Sequence, residues 1–241
     1  TRPIGREAIY LGRLFAALGY ALQPTEIPLH LDGRGAAKTA HPATLPVLGA
    51  FGRPGEPPRL LVIHAWDAAQ EGEDPLGIEP HRLLWDATPK PQALHGQTWQ
   101  EVLSDHILGA DHPPRWVLLA GSTQTLLIDR AKWAQNRLLR FDWTELLGRR
   151  EDPALKAAAV LLGRECLLPP DGADGPDGGE ALLDTLDANA HKHAFAVSED
   201  LKYALQEAIQ LLGDEAARAL IAQARDQKKG IFSGDRELDA G

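Results

Sequence analysis

"RWVLLAGSTQTLLIDRAKW", residues 115–133, holds two apolar runs separated by only Ser-Thr-Gln. So short a connection between two such runs predicts an antiparallel hairpin whose turn begins at Gly121. "RLLRFDWTELLG" (137–148) predicts a third strand leading into a short helix, with Asp142 or Thr144 as its cap. Upstream, "RLLVIHAWD" (59–67) is short, branched and apolar, and Pro58 bounds it. It reads as a strand buried on both faces.

Helical spacing flanks these strands. Ile9, Leu11, Leu14, Phe15 and Leu18 predict an amphipathic helix over 6–19 that ends at Gly19. "TWQEVLSDHILG" (98–109) places Trp99, Val102, Leu103 and Ile107 on one face of a short helix. In "REDPALKAAAVLLGRECLL" (150–168), Asp152 is read as the cap and Pro153 as a first-turn residue. The stretch through "GAFGRPGEPP" (49–58) reads as turns and extended connections, and residues 70–96 as an acidic, proline-broken loop. Residues 169–180 read as a flexible acidic Gly/Pro linker. Beyond it, Ser198 is predicted to cap a helix with Leu201, Ala204, Leu205, Ala208 and Leu212 on one face, and a second helical segment follows Gly213. The fold class is therefore α/β (α+β), a mixed or antiparallel sheet with flanking helices. The domains are an N-terminal α/β domain over 1–168, the linker, and a helical connector over 181–241.

Composition narrows the function. The 241 residues are 44% apolar, enough for a core, and no apolar run approaches a membrane span. The chain opens on Thr1, has no Met and shows no secretory leader pattern, so a piece of a longer cytoplasmic protein is expected. Cys166, the single cysteine, cannot form an internal disulfide and reads as a buried structural thiol. A net charge of −9 argues against a free-standing nucleic-acid binder. Basic residues are nevertheless concentrated: residues 1–60 carry 7 basic and 4 acidic groups and 113–150 carry 7 and 3, against 2 and 9 over 61–112 and 9 and 18 over 151–241. Positive blocks that meet in space can face a phosphate backbone, although charge runs are also ordinary solvated surface.

The hairpin invites comparison with restriction-type nucleases, which gather acidic Mg²⁺ ligands and a lysine near two adjacent strands. Arg115 stands where the first acid would fall. Asp129 is followed by Arg130 and Ala131, which leaves Lys132 a position too far along. His191 and His193 form a weak metal pair without a third ligand, so no metal site is assigned. His64 and Asp67 lie at a strand end but lack partners in sequence, and Ser122 and Thr123 follow Gly121 without a nucleophile-elbow motif. No phosphate-binding glycine loop is present, and no catalytic residue is assigned.

"WVLLAGSTQTLLIDRAKWAQNRLLRFDW" (116–143), "LLGRECLLP" (161–169) and "KHAFAVSEDLKYALQEAIQLLGDEA" (192–216) together resemble the N-terminal region of large bacterial restriction-modification methylases. These are the type IIG-like adenine methyltransferases, including the methylases of phage-defence systems such as DISARM and BREX. The resemblance covers residues 114–234 and extends loosely over the first hundred. It implies a parent protein that binds S-adenosylmethionine and double-stranded DNA, flips an adenine, and methylates its N6 through an N-P-P-Y motif in a later domain. That motif is absent here: the three Pro-Pro pairs precede Arg59, Arg115 and Asp171, never an aromatic. The segment itself is then expected to hold no cofactor and to be an accessory, degenerate nuclease-like domain with a connector to the methylase. Its expected partners are DNA and other defence-system subunits. Arg115, Arg130, Lys132, Arg137 and Arg140 are the candidate DNA contacts. The alternatives are a metal-dependent endonuclease, with Glu7, Asp67 and Asp129 brought together by the fold, and a protein-interaction module of a defence complex.

Overall fold

The structure, a computed structural model, describes residues 3–29, 43–69, 71–85, 89–170 and 179–226. It divides into two compact units, Thr1–Thr185 and Leu186–Gly241. The division falls inside a helix rather than in 169–180, and most of that linker, 171–178, lies outside the described residues.

The first unit is a mixed α/β fold. Strand β1 (Thr25–Pro28) pairs antiparallel with β2 (Thr44–Val47) in a small sheet that the proline-rich composition of this region had concealed. The main sheet has five strands in the order β3 (Gly49–Phe51), β4 (Leu60–His64), β5 (Trp116–Ala120), β6 (Gln124–Asp129) and β7 (Leu138–Asp142). All neighbours are antiparallel except β4 and β5, which run parallel. The expected hairpin is β5–β6, closed by the amide of Gly121 donating to the Gln124 carbonyl at 2.8 Å. Gly121 is required there because a Cβ would sit 2.7 Å from Pro75 Cγ.

Burial of β4 and β5 on both faces explains their unbroken apolar runs. On one face Leu60, Val62, Leu118 and Leu127 pack under Leu11 and Phe15 of α1 (Pro3–Ala17), Trp143 of α4 (Trp143–Arg149), Ala158 and Leu162 of α5 (Asp152–Leu162) and Leu167 of α6 (Arg164–Leu167). The Tyr20 hydroxyl on this face donates to the Leu162 carbonyl at 2.8 Å. On the other face Leu61, Ile63, Val117, Leu119 and Leu126 pack against Trp99 and Val102 of α2 (Trp99–Val102) and against Leu103 and Ile107, where that helix widens into a π turn. The four residues expected to share a helix face are all buried. Thr98 and Glu101 cap α2 reciprocally, Glu101 Oε2 accepting the Thr98 amide at 2.7 Å.

Several local expectations need correction. Asp129 ends β6 and caps the short helix α3 (Arg130–Trp133), its Oδ1 accepting the Ala131 amide at 2.7 Å, so Lys132 lies on a helical turn rather than a strand. Asp142, not Thr144, caps α4. Asp152 is the first helical residue of α5 and Glu151 occupies the cap position without a side-chain bond. Neither Ser198 nor Gly213 marks a helix end, because a 45-residue helix, α7 (Leu182–Asp226), runs through both. The surrounding Ala, Leu, Lys and Glu residues are strong helix formers and outweigh one serine and one glycine. Among the described residues no helix is long and apolar enough to cross a membrane.

Candidate functional site

Charged side chains gather at two ends of the sheet. At the end where β4 and β5 begin, Arg59 immediately precedes β4, Arg115 immediately precedes β5, and Asp129 closes β6 opposite Trp116. Asp184, in the first turn of α7, reaches the same place within the first unit. Its carboxylate bridges two guanidiniums, accepting from Arg59 Nη2 through Oδ2 and from Arg115 Nε through Oδ1 at 3.0 Å. Arg115 Nη1 donates to Asp129, which completes an Arg59–Asp184–Arg115–Asp129 chain. The Arg115 guanidinium also stacks 4.2 Å from the centroid of Trp116. The side chains of Arg115 and Asp184 are 19% and 15% exposed, so these are largely desolvated pairs rather than surface ones. An open groove of about 400 Å³ runs past the cluster, lined by Pro58, Arg59, Asp111, His112, Arg115 and Arg130 among others.

At the opposite end, His64 finishes β4 beside Ala120 and faces Glu7 of α1. Four helical residues rise about 6 Å and two strand residues about 6.6 Å, so a helix lying along a strand repeats its contacts almost in step. Phe15 and Leu11 pack in one cluster with Leu60 and Val62, and one turn earlier along α1 Glu7 meets His64. Their Nε2 and Oε1 are 3.4 Å apart, both fully buried and without a hydrogen bond, an ion pair when the imidazole is protonated. Asp67 is buried three residues further on, where its two oxygens accept the Ala69 and Gly72 amides, each at 2.9 Å, and shape the turn that leaves the strand.

This geometry does not bring the three alternative nuclease acids together. Glu7 and Asp67 lie where β4 ends, while Asp129 lies beside the start of β5, about 13 Å away along the strands at 3.3 Å per residue. No group of three or more His, Cys, Asp or Glu side chains able to hold a metal occurs among the described residues. His191 faces Asp187 of its own helix at 3.6 Å, and the side chain of His193 lies outside the described residues. Cys166 is buried, and burial pushes its thiol up, away from the reactive thiolate.

The five candidate DNA contacts divide into two sets. Arg115 is held in the ion-pair chain. Arg140, on β7, forms a bidentate pair with Asp74, Nη1 to Oδ1 at 3.0 Å and Nη2 to Oδ2 at 2.9 Å, and also donates to Gln124 at 2.6 Å. Arg130 and Arg137 are exposed and Lys132 is half-buried, all on the knuckle that α3 makes between β6 and β7. Arg130 donates to the Pro113 carbonyl at 3.2 Å, which holds it over the groove. What sequence reading missed is the pairing: Asp184 is separated from Arg59 by 125 positions and from Arg115 by 69, and no local pattern records such a contact.

Burial alone pushes the Asp74 carboxyl up, but the Arg140 guanidinium and the Leu76 amide outweigh it and hold the group below its ordinary value. A depressed folded-state value stabilises the fold above the ordinary carboxylate range, and that contribution is lost as pH falls through the folded value. Arg140→Gln is therefore expected to move the Asp74 titration midpoint upward in a carboxyl-resolved NMR experiment. A midpoint that stays in place would show that the pair does not form in solution.

The fold and its charged ends define a mixed α/β sheet unit followed by a long helix. No protein-family model, curated protein or solved structure matches the chain.

Proposed function

We propose that this chain is the N-terminal accessory segment of a site-specific DNA adenine-N6 methyltransferase in anti-phage restriction-modification defence. In this reading the first unit, nuclease-like in outline but without nuclease chemistry, positions duplex DNA. Helix α7 is the connector to the part that binds S-adenosylmethionine. The resemblance over residues 114–234 supports the parent activity. The observation that carries the positioning role is the basic knuckle, where Arg130, Lys132 and Arg137 cluster within one short turn between two strands. Two exposed arginines and a half-buried lysine at one end of the sheet suit phosphate contact, which positions DNA without reading its sequence. The exposed row of Leu201, Leu205 and Leu212 on α7, each 60–71% accessible, suits a connector that packs on another domain, and it also favours a protein-interaction role within a defence complex.

Replacing Arg130, Lys132 and Arg137 together with glutamine tests the reading by fluorescence anisotropy on a labelled DNA duplex. Affinity is expected to fall at low salt, and the salt slope to flatten by about 2.7 if each side chain neutralises one phosphate. A slope unchanged by the triple substitution would remove the knuckle from the interface.

A further inference from the structure

We infer that Asp184 is an internal stand-in for a DNA phosphate, and that Arg59 and Arg115 form a phosphodiester site which opens only when Asp184 leaves. The inference rests on the DNA-positioning reading and adds two contacts and a competitor to it.

The starting observation is one carboxylate spanning two guanidiniums, with its two oxygens bound to different arginines. Two anionic oxygens each bonded by a separate arginine is also how a phosphodiester is bound, so the two anions compete for the same donors. Arg59 keeps a buried Nε without a hydrogen-bond partner, a donor that Asp184 leaves unused. The site is reachable, because Arg59 and Arg115 line the same open groove as Arg130, which belongs to the knuckle.

Charge favours the exchange. With Asp184 in place, Glu56, Asp111, Asp129 and Asp184 balance Arg53, Arg59, Arg115 and Arg130, and an incoming phosphate meets no net positive charge. Once Asp184 leaves, three acids face four arginines and the site attracts an anion. A tethered carboxylate competes at high effective concentration, so a free anion displaces it poorly. A duplex already held at Arg130, Lys132 and Arg137 presents its next phosphates at comparable effective concentration. DNA docking at the knuckle and release of the first turn of α7 are thus one coupled event.

The test uses the full chain, a fluorescently labelled mixed-sequence duplex, and circular dichroism to confirm that each variant is folded. Asp184→Asn is expected to raise affinity about tenfold at low salt and to steepen the salt slope by about 0.9 for each phosphate gained. Adding Arg59→Gln and Arg115→Gln in that background should erase the gain. No gain, or a gain that survives loss of both arginines, overturns the inference. Hydrogen exchange on the unsubstituted chain gives a reading that needs no variant: the amide of Thr185, which donates to the Ala181 carbonyl at 3.1 Å, should exchange faster when duplex is added. Unchanged or slower exchange overturns the inference, as does faster exchange with inorganic phosphate and none with DNA. If the triple glutamine variant of the knuckle binds DNA normally, the positioning reading itself fails, whatever Asp184→Asn does.

Discussion

Trp99→Ala is expected to lower the unfolding free energy by about 3–5 kcal/mol, the range for truncating a buried tryptophan. Trp99 is the largest fully buried side chain in the first unit and opens α2 against one face of the main sheet. Its amide donates to the Ile78 carbonyl at 2.9 Å, and that of Gln100 to the Leu76 carbonyl at 3.0 Å, so the acidic loop supplies partners for the helix start. Removing the ring therefore empties the packing under β4 and β5 and loosens the loop that carries Asp74. Trp99→Phe separates these effects. The indole Nε1 is buried without a hydrogen-bond partner, which costs about 1–3 kcal/mol. Phenylalanine discards that donor while filling most of the volume, so its net effect is expected to stay within about 1.5 kcal/mol of the parent. Urea titration followed by tryptophan fluorescence and circular dichroism measures both. Equal losses for Ala and Phe would show that the ring is not packed as described.

Sequence reading finds what depends on neighbours in the chain. The apolar runs of β4, β5 and β6 and the 3.6-residue spacing of α1 and α2 are local patterns, and each became a strand or helix, although α1 runs Pro3–Ala17 instead of 6–19 with Ile9 exposed, and α2 gives way to a π turn after Val102. Asp142 was legible as a cap because cap chemistry depends on amides only two or three residues away. The same reasoning misled at Ser198 and Gly213, where a cap-forming residue and a helix-weakening one sit among residues that favour continuing the helix. The β1–β2 ribbon was hidden because its strands are four residues long and each contains proline. The parallel pairing of β4 with β5 was hidden because the intervening stretch has no long crossover helix to announce it. The candidate site suffered most. Arg115 was singled out as a candidate DNA contact, but its pairing with Asp129 and Asp184 is something only the fold delivers. His64 and Glu7 were each singled out, and their meeting follows from how α1 lies along β4.

Arg115→Ala is expected to cost about 2–4 kcal/mol, somewhat below the range for breaking a fully buried ion pair because these side chains keep some contact with water. Alanine removes three interactions at once: the bond to Asp184, the bond to Asp129 and the stack on Trp116. The two carboxylates are not equally abandoned. Asp129 still caps α3 through the Ala131 amide, whereas Asp184 keeps only Arg59, whose side chain is more exposed. The damage should therefore concentrate at the first turn of α7. Arg115→Lys keeps the charge but not the planar fork, so it can satisfy one carboxylate and not the stack, and it is expected to recover less than half of the loss. A double-mutant cycle with Asp184→Asn isolates the pair, and a coupling of about 1–2 kcal/mol is expected between residues in direct contact. A coupling near zero in urea unfolding would mean that the Asp184 bridge contributes nothing to stability. The size of these numbers also governs how DNA-binding measurements at this position must be read. Weaker binding by Arg115→Ala follows from partial unfolding at this end of the sheet as readily as from a lost phosphate contact, and only the affinity per folded molecule, with its salt slope, reports the contact.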